Sequence, residues 1–153
     1  MERFEAKRRT LRADMTVNAK PEHIFPLLCP VREYEWIGDW ECTMVWSESG
    51  FAEDNCIFQT DFPEQGGRET WVICRHDPNS CIEFVRSNEN RVIRYSISLR
   101  PQGACTVLTW QQTHTGLTPL GNGLVEDLNE HEYAERMAAN EALLDSFLQK
   151  TKP

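Results

Sequence analysis

The feature that most constrains this chain is a change of hydrophobic period near residue 118. From Trp40 to Thr115 apolar side chains recur at every second position, in runs separated by the turn-like clusters SESG, FPEQGG, HDPNS, SNEN and RPQG. Alternation of that kind belongs to half-buried strands, and the punctuation has hairpin spacing. Strands are expected at Trp40–Trp46 and near 54–61, 68–76, 81–87, 91–100 and 104–115. Consecutive strands joined by short turns make an antiparallel meander with one covered face and one wet face. From Thr118 the period becomes helical. Thr118 reads as an N-cap with Pro119 behind it, and Glu126, Asp127 and Glu130 lie early enough to favour the helix dipole. The helix is expected to reach about Gln149, some 30 residues or about 45 Å. Gly121 and Gly123 weaken its first turn. Leu120, Leu124 and Leu128 share one face whereas Met137, Leu144 and Leu148 share another, so the helix either bends near His131 or shows different faces to different parts of the sheet.

Upstream, Leu11, Ala13, Met15 and Val17 alternate with Arg12, Asp14 and Thr16, which predicts a first strand. Pro21 then opens a short helical segment, EHIFPLL, and Pro26 and Pro30 keep it short or kinked. There is no repeat, low-complexity tract or linker, and 153 residues fit one domain with a real core.

Charge narrows the partners. A formal charge of −8 repels phosphate backbones and anionic headgroups, which argues against nucleic acid and membrane surfaces. The basic stretch Lys7, Arg8, Arg9 and Arg12 reads as the solvated face of the first strand. No run approaches the roughly 20 apolar residues of a membrane span, and MERFEAKRRT lacks the apolar core of a secretion signal, so the expected location is cytoplasmic. The six cysteines, Cys29, Cys42, Cys56, Cys74, Cys81 and Cys105, contain no CxxC pair and read as reduced, mostly buried thiols. Neither they nor His23, His76, His114 and His131 have metal-ligand spacing, and no Gly-rich loop opens a helix. No metal and no cofactor are expected.

Strand, short helices, about six more antiparallel strands and a long terminal helix: that order resembles the START-like superfamily, which includes polyketide cyclase/dehydrase, lipid-transport and birch-pollen-allergen-like (SRPBCC) proteins. VNAKPEHIFPLLCPVREYEWIGDWE looks like the superfamily's opening, and CTVLTWQQTHT, with Trp110, like its last strand. The resemblance spans essentially the whole chain and implies one START-like ligand-binding domain over residues 1–153. The implied architecture is α+β, a helix-grip fold. In it a curved antiparallel sheet of about seven strands wraps a long C-terminal helix, with two short helices after the first strand and a cavity between sheet and helix. The superfamily shares no catalytic set, so no catalytic residue carries over.

Alternation nominates Trp40, Met44, Trp46, Phe58, Ile82, Phe84, Ile93, Tyr95, Ile97, Leu108 and Trp110 as inward residues. Each is more ordinary as core, but the aromatic share fits a pocket. Gln112 and His114 continue the inward register of Trp110, and Glu141 lies in the stripe of Met137 and Leu144. An unpaired buried carboxylate is costly, so Tyr95, His114 and Glu141 are candidates for a convergent donor, acid/base and acceptor. The alternative is that His114 ends a strand in solvent and Glu141 sits on the helix edge. EYEWIGDWE, with Glu33, Trp36, Asp39 and Trp40, reads as a pocket mouth or as a loop pinned by two buried Trp. The ligand-lining candidates are therefore Trp36, Trp40, Met44, Trp46, Phe58, Phe84, Tyr95, Trp110, Gln112, His114, Met137 and Glu141. Three functions compete: carriage of a small hydrophobic or aromatic molecule, a cyclase/dehydratase-like enzyme, and a co-chaperone-like interaction module. A homodimer is left open.

Overall fold

The computed structural model describes residues 3–151. The strands are β1 (Arg8–Val17), β2 (Thr43–Trp46), β3 (Ile57–Phe62), β4 (Gly67–Asp77), β5 (Cys81–Ser87), β6 (Arg91–Gln102) and β7 (Cys105–Gly116). All pair antiparallel in one sheet of order β1-β7-β6-β5-β4-β3-β2. Only the pairing of β1 with β7 joins strands distant in sequence. A short helix α1 (Pro21–Ile24) and 3₁₀ turns at Phe25–Leu28 and Glu33–Glu35 follow β1, as the prolines require. This is the helix-grip architecture that the resemblance implied.

The terminal helix is two helices, α2 (Pro119–Glu126) and α3 (Glu130–Lys150), rather than the single one expected from Thr118 to Gln149. Thr118 does cap the first, its hydroxyl accepting from Gly121 N at 3.0 Å. A fresh cap, Asn129 accepting from Glu132 N at 3.0 Å, starts the second. Between them Arg9 donates to the carbonyls of Leu128 and Glu126, which the end of α2 leaves free. Arg9 is thus tied to the helix break rather than left on a solvated face. Gly121 is required where it stands, because a Cβ there would sit 1.7 Å from the Asn90 carbonyl oxygen.

The last helix also guards a sheet edge. Glu141 accepts from Thr16 N and Asp145 from Asn18 N, each at 2.9 Å, so two acids one turn apart occupy donors on the free edge of β1. Leu144 and Leu148 on α3 bury against the core built by Met15, Val17, Ile24, Leu28, Ile73 and Leu108. The first half of α3 has no such filling beneath it, and the interior is open there.

Candidate functional site

An internal cavity of about 710 Å³ lies between the sheet and the helices α2 and α3. Its wall is a set of cross-strand partners. Phe58 faces Trp71, Trp71 faces Arg86, Phe84 faces Tyr95, Tyr95 faces Gln112, Ile93 faces His114 and Ile97 faces Trp110. Alternate residues of a strand point to one side, so strands in register place these side chains together. The roof is Leu124 and Leu128 with Tyr133, Met137 and Asn140 of α3. Exposed Asp39, Glu64, Asp127, Glu132 and Arg136 line the zone where the cavity meets solvent.

Trp71 is the centre of an aromatic cluster. Its ring stacks on Phe58 with centroids 5.1 Å apart and meets Trp40, Phe84 and Tyr95 at 6.2, 5.6 and 6.1 Å. Tyr95 in turn meets Trp110 edge-on at 6.0 Å. Trp71 spends its indole N–H on Thr60 at 2.9 Å and Trp40 its own on the Pro30 carbonyl at 2.7 Å. The indole N–H of Trp110 is buried and has no partner among the described residues, nor has the Tyr133 hydroxyl. An apolar wall with spare donors can hold a flat molecule and orient a polar atom on it.

The polar groups have environments that fix their protonation. Glu33 is buried and lines the cavity, and desolvation pushes its carboxyl well above the ordinary range, favouring the neutral, donating form. Burial likewise pushes the Tyr95 phenol up, and holds Tyr133 at about 12. His114 goes the other way. Burial first, then the charges of Arg91, Arg86 and Arg9, push it down to about 3. Its Nε2 lies 2.9 Å from Gln112 Oε1, so in the neutral ring Nε2–H donates and Nδ1, which is buried, has no partner among the described residues. At the β4–β5–β6 end of the wall, Glu69, Arg86 and Arg91 are buried together. Arg86 Nε and Nη2 and Arg91 Nη2 all donate to the same Glu69 oxygen, Oε1. The Arg86 guanidinium also lies 4.3 Å over the Trp71 ring.

Trp40, Phe58, Phe84, Tyr95, Trp110, Gln112, His114 and Met137 line the cavity. Trp36, Met44, Trp46 and Glu141 do not. Trp36 is buried, but its indole donates to the Leu27 carbonyl at 2.8 Å, so it pins the loop. Met44 packs its sulfur on Cys56 at 3.5 Å, away from the cavity. Trp46 is 62% exposed, a correction with a clear cause. A bulge after Met44 advances β2 by two residues for one on β3, so the alternation resets and Trp46 turns outward. Glu141 is committed to β1, so the convergence of Tyr95, His114 and Glu141 does not form. Glu33 is the buried carboxyl that lines the cavity with Tyr95 and His114. Trp71, Arg86, Arg91 and Tyr133 were missed as lining residues. A signal for the arginines was present, since Arg86 continues the register of Ile82 and Phe84, and Arg91 that of Ile93 and Tyr95.

Among the described residues, no group of three or more His, Cys, Asp or Glu is placed to hold a metal, and no helix is long and apolar enough to cross a membrane. No family model and no curated protein sequence matches the chain. Solved structures do. Norcoclaurine synthase from Thalictrum flavum, in complex with dopamine and hydroxybenzaldehyde, superposes with a TM-score of 0.69 at 12% identity, over 97% of this chain and 90% of that one. An uncharacterised protein from Rhizobium leguminosarum gives 0.67 at 11% identity, over 95% and 97%. DynU16, from the dynemicin biosynthetic locus, gives 0.64 at 16% identity, over 94% of this chain but 48% of DynU16, so the likeness spans about half of that protein. Identities of 11–16% establish the fold alone, and the fold is the helix grip.

Proposed function

We propose that this protein binds a small, predominantly aromatic molecule inside the cavity, as a carrier or receptor. The observation that carries the reading is the cavity of about 710 Å³ walled by Trp40, Phe58, Trp71, Phe84, Tyr95 and Trp110. A volume of a few hundred Å³ and upward is the range that small-molecule sites use. A co-chaperone-like module has no need of such a hollow, and its apolar interior would be filled. Two of the structural neighbours add weight by analogy: one was solved with dopamine and hydroxybenzaldehyde and one comes from a biosynthetic locus.

A cyclase/dehydratase-like reaction is the second reading, favoured by the neutral carboxyl of Glu33 inside the cavity. A group held protonated is suited to give a proton. Binding is preferred because the partner base is poor. A histidine pushed down to about 3 is a weak base near neutral pH.

The test is titration with the uncharged dye N-phenyl-1-naphthylamine, followed by dye emission and by quenching of the tryptophans. Saturable binding of one dye per chain at micromolar protein is expected. Absence of saturable binding to protein whose circular dichroism is native would contradict the reading.

A further inference from the structure

We infer that the ligand carries one planar oxyanion, a carboxylate above all, seated against Arg91 and Arg86 at the β4–β5–β6 end of the cavity. This rests on the cavity-binding reading and specifies its ligand. The charge count motivates it. Arg86, Arg91 and Glu69 are only 5%, 4% and 1% exposed, and both guanidinium groups share that single carboxylate. One positive charge is left over in a desolvated place, where an unpaired ion is costly. Glu33, the buried acid that lines the cavity, is held towards its neutral form by burial and does not offset it. The acids at the mouth are exposed, and solvent screens them.

Hydrogen bonding tells the same story. Arg86 is well occupied, with Glu69 on Nε at 3.1 Å, Glu69 again on Nη2, and Gln65 at 3.3 Å. Arg91 is not. Among the described residues its side chain makes a single hydrogen bond, Nη2 to Glu69 Oε1 at 3.4 Å, and its buried Nε has no acceptor. A guanidinium has a fork of donors suited to a carboxylate, and Arg91 keeps a buried donor, Nε, that no acceptor among the described residues meets, while Glu69 Oε2 is likewise buried without a partner. Both arginines line the cavity, and Arg86 lies over the Trp71 ring that would hold an aromatic body.

The test compares 2-naphthoate with 2-naphthamide, which share size and shape and differ in charge, by isothermal titration. Naphthoate is expected to bind at least ten-fold more tightly. In Arg91→Met that preference should fall below two-fold, through loss of naphthoate affinity. The apo variant should melt at an equal or higher temperature, because Arg86 and Glu69 remain a balanced pair; a purely structural Arg91 would instead lower it. Arg86→Met gives a second variant with the same expected loss of preference. Equal affinities for acid and amide, or binding of neither by protein that binds the neutral dye, would overturn the anion seat and leave the cavity reading standing. Protein that binds neither the naphthalenes nor the dye would overturn both.

Discussion

His114 donates to Gln112 amid the charges of Arg91 and Arg86, and that company fixes how the protein responds to acid. Its folded value, about 3, lies below the ordinary 6.5 that it recovers on unfolding. Between those values the unfolded chain takes up a proton that the folded chain refuses. Stability is therefore full above pH 6.5 and is lost as pH falls towards 3, by up to about 1.4 kcal/mol per pH unit. Two measurements check this. The His114 ring carbons should show no titration step by NMR from pH 8 down to about 4, and His114→Gln should flatten the acid limb of the melting curve. Glu141 behaves quite differently. It accepts from an edge N–H of β1, so Glu141→Gln, which keeps an acceptor, should leave dye affinity within two-fold, whereas Glu141→Ala should cost about 0.5–1.5 kcal/mol in urea denaturation. Both residues looked unusual for the same reason, a polar group in an apolar register. For His114 the register was right, because β7 pairs without a bulge over its length. For Glu141 a helix face read from three leucine and methionine positions was too coarse to separate the core from the flank that meets β1.

At the scale of elements, the hairpins were legible and the interruptions were not. Strands β4 to β7 fall within one or two residues of the alternation and turn signals, because local composition decides both. The bulge in β2 is set by its pairing with β3, and the break between α2 and α3 by a partner distant in sequence. Trp46 turns outward because β3 offers one residue against two, and α2 stops where Arg9 of β1 takes the carbonyls of Glu126 and Leu128. Two signals were local: the change of apolar face, which left a bend near His131 as one reading, and Asn129 followed by Glu132 as cap and first-turn acid. Gly121 looked like a weakness in a helix and is instead a contact point. Gly121→Ala would gain helix propensity in isolation, yet here its methyl group meets the Asn90 carbonyl. It should lower stability by about 2–3 kcal/mol, seen as a lower urea midpoint with unchanged slope. A variant as stable as the parent would mean that the α2 contact with the β5–β6 turn is loose.

In the whole molecule, one end of α3 closes a packed core and the other roofs a cavity, so a single helix serves stability and binding with different stretches of its length. The five tryptophans sample that division. Trp40, Trp71 and Trp110 line the cavity, Trp36 is buried in the loop that β1 leads into, and Trp46 is exposed on the outer face of β2. Their indole N–H resonances make five separate reporters in one spectrum. The most direct test of internal binding is therefore a titration of ¹⁵N-labelled protein with N-phenyl-1-naphthylamine. The indole signals of Trp40, Trp71 and Trp110 should shift, with Trp110 moving most because its N–H has no protein partner, while those of Trp36 and Trp46 stay in place. Shifts confined to Trp46 would put the dye on the outer surface, and no shift in the three lining tryptophans at saturating dye would contradict the account.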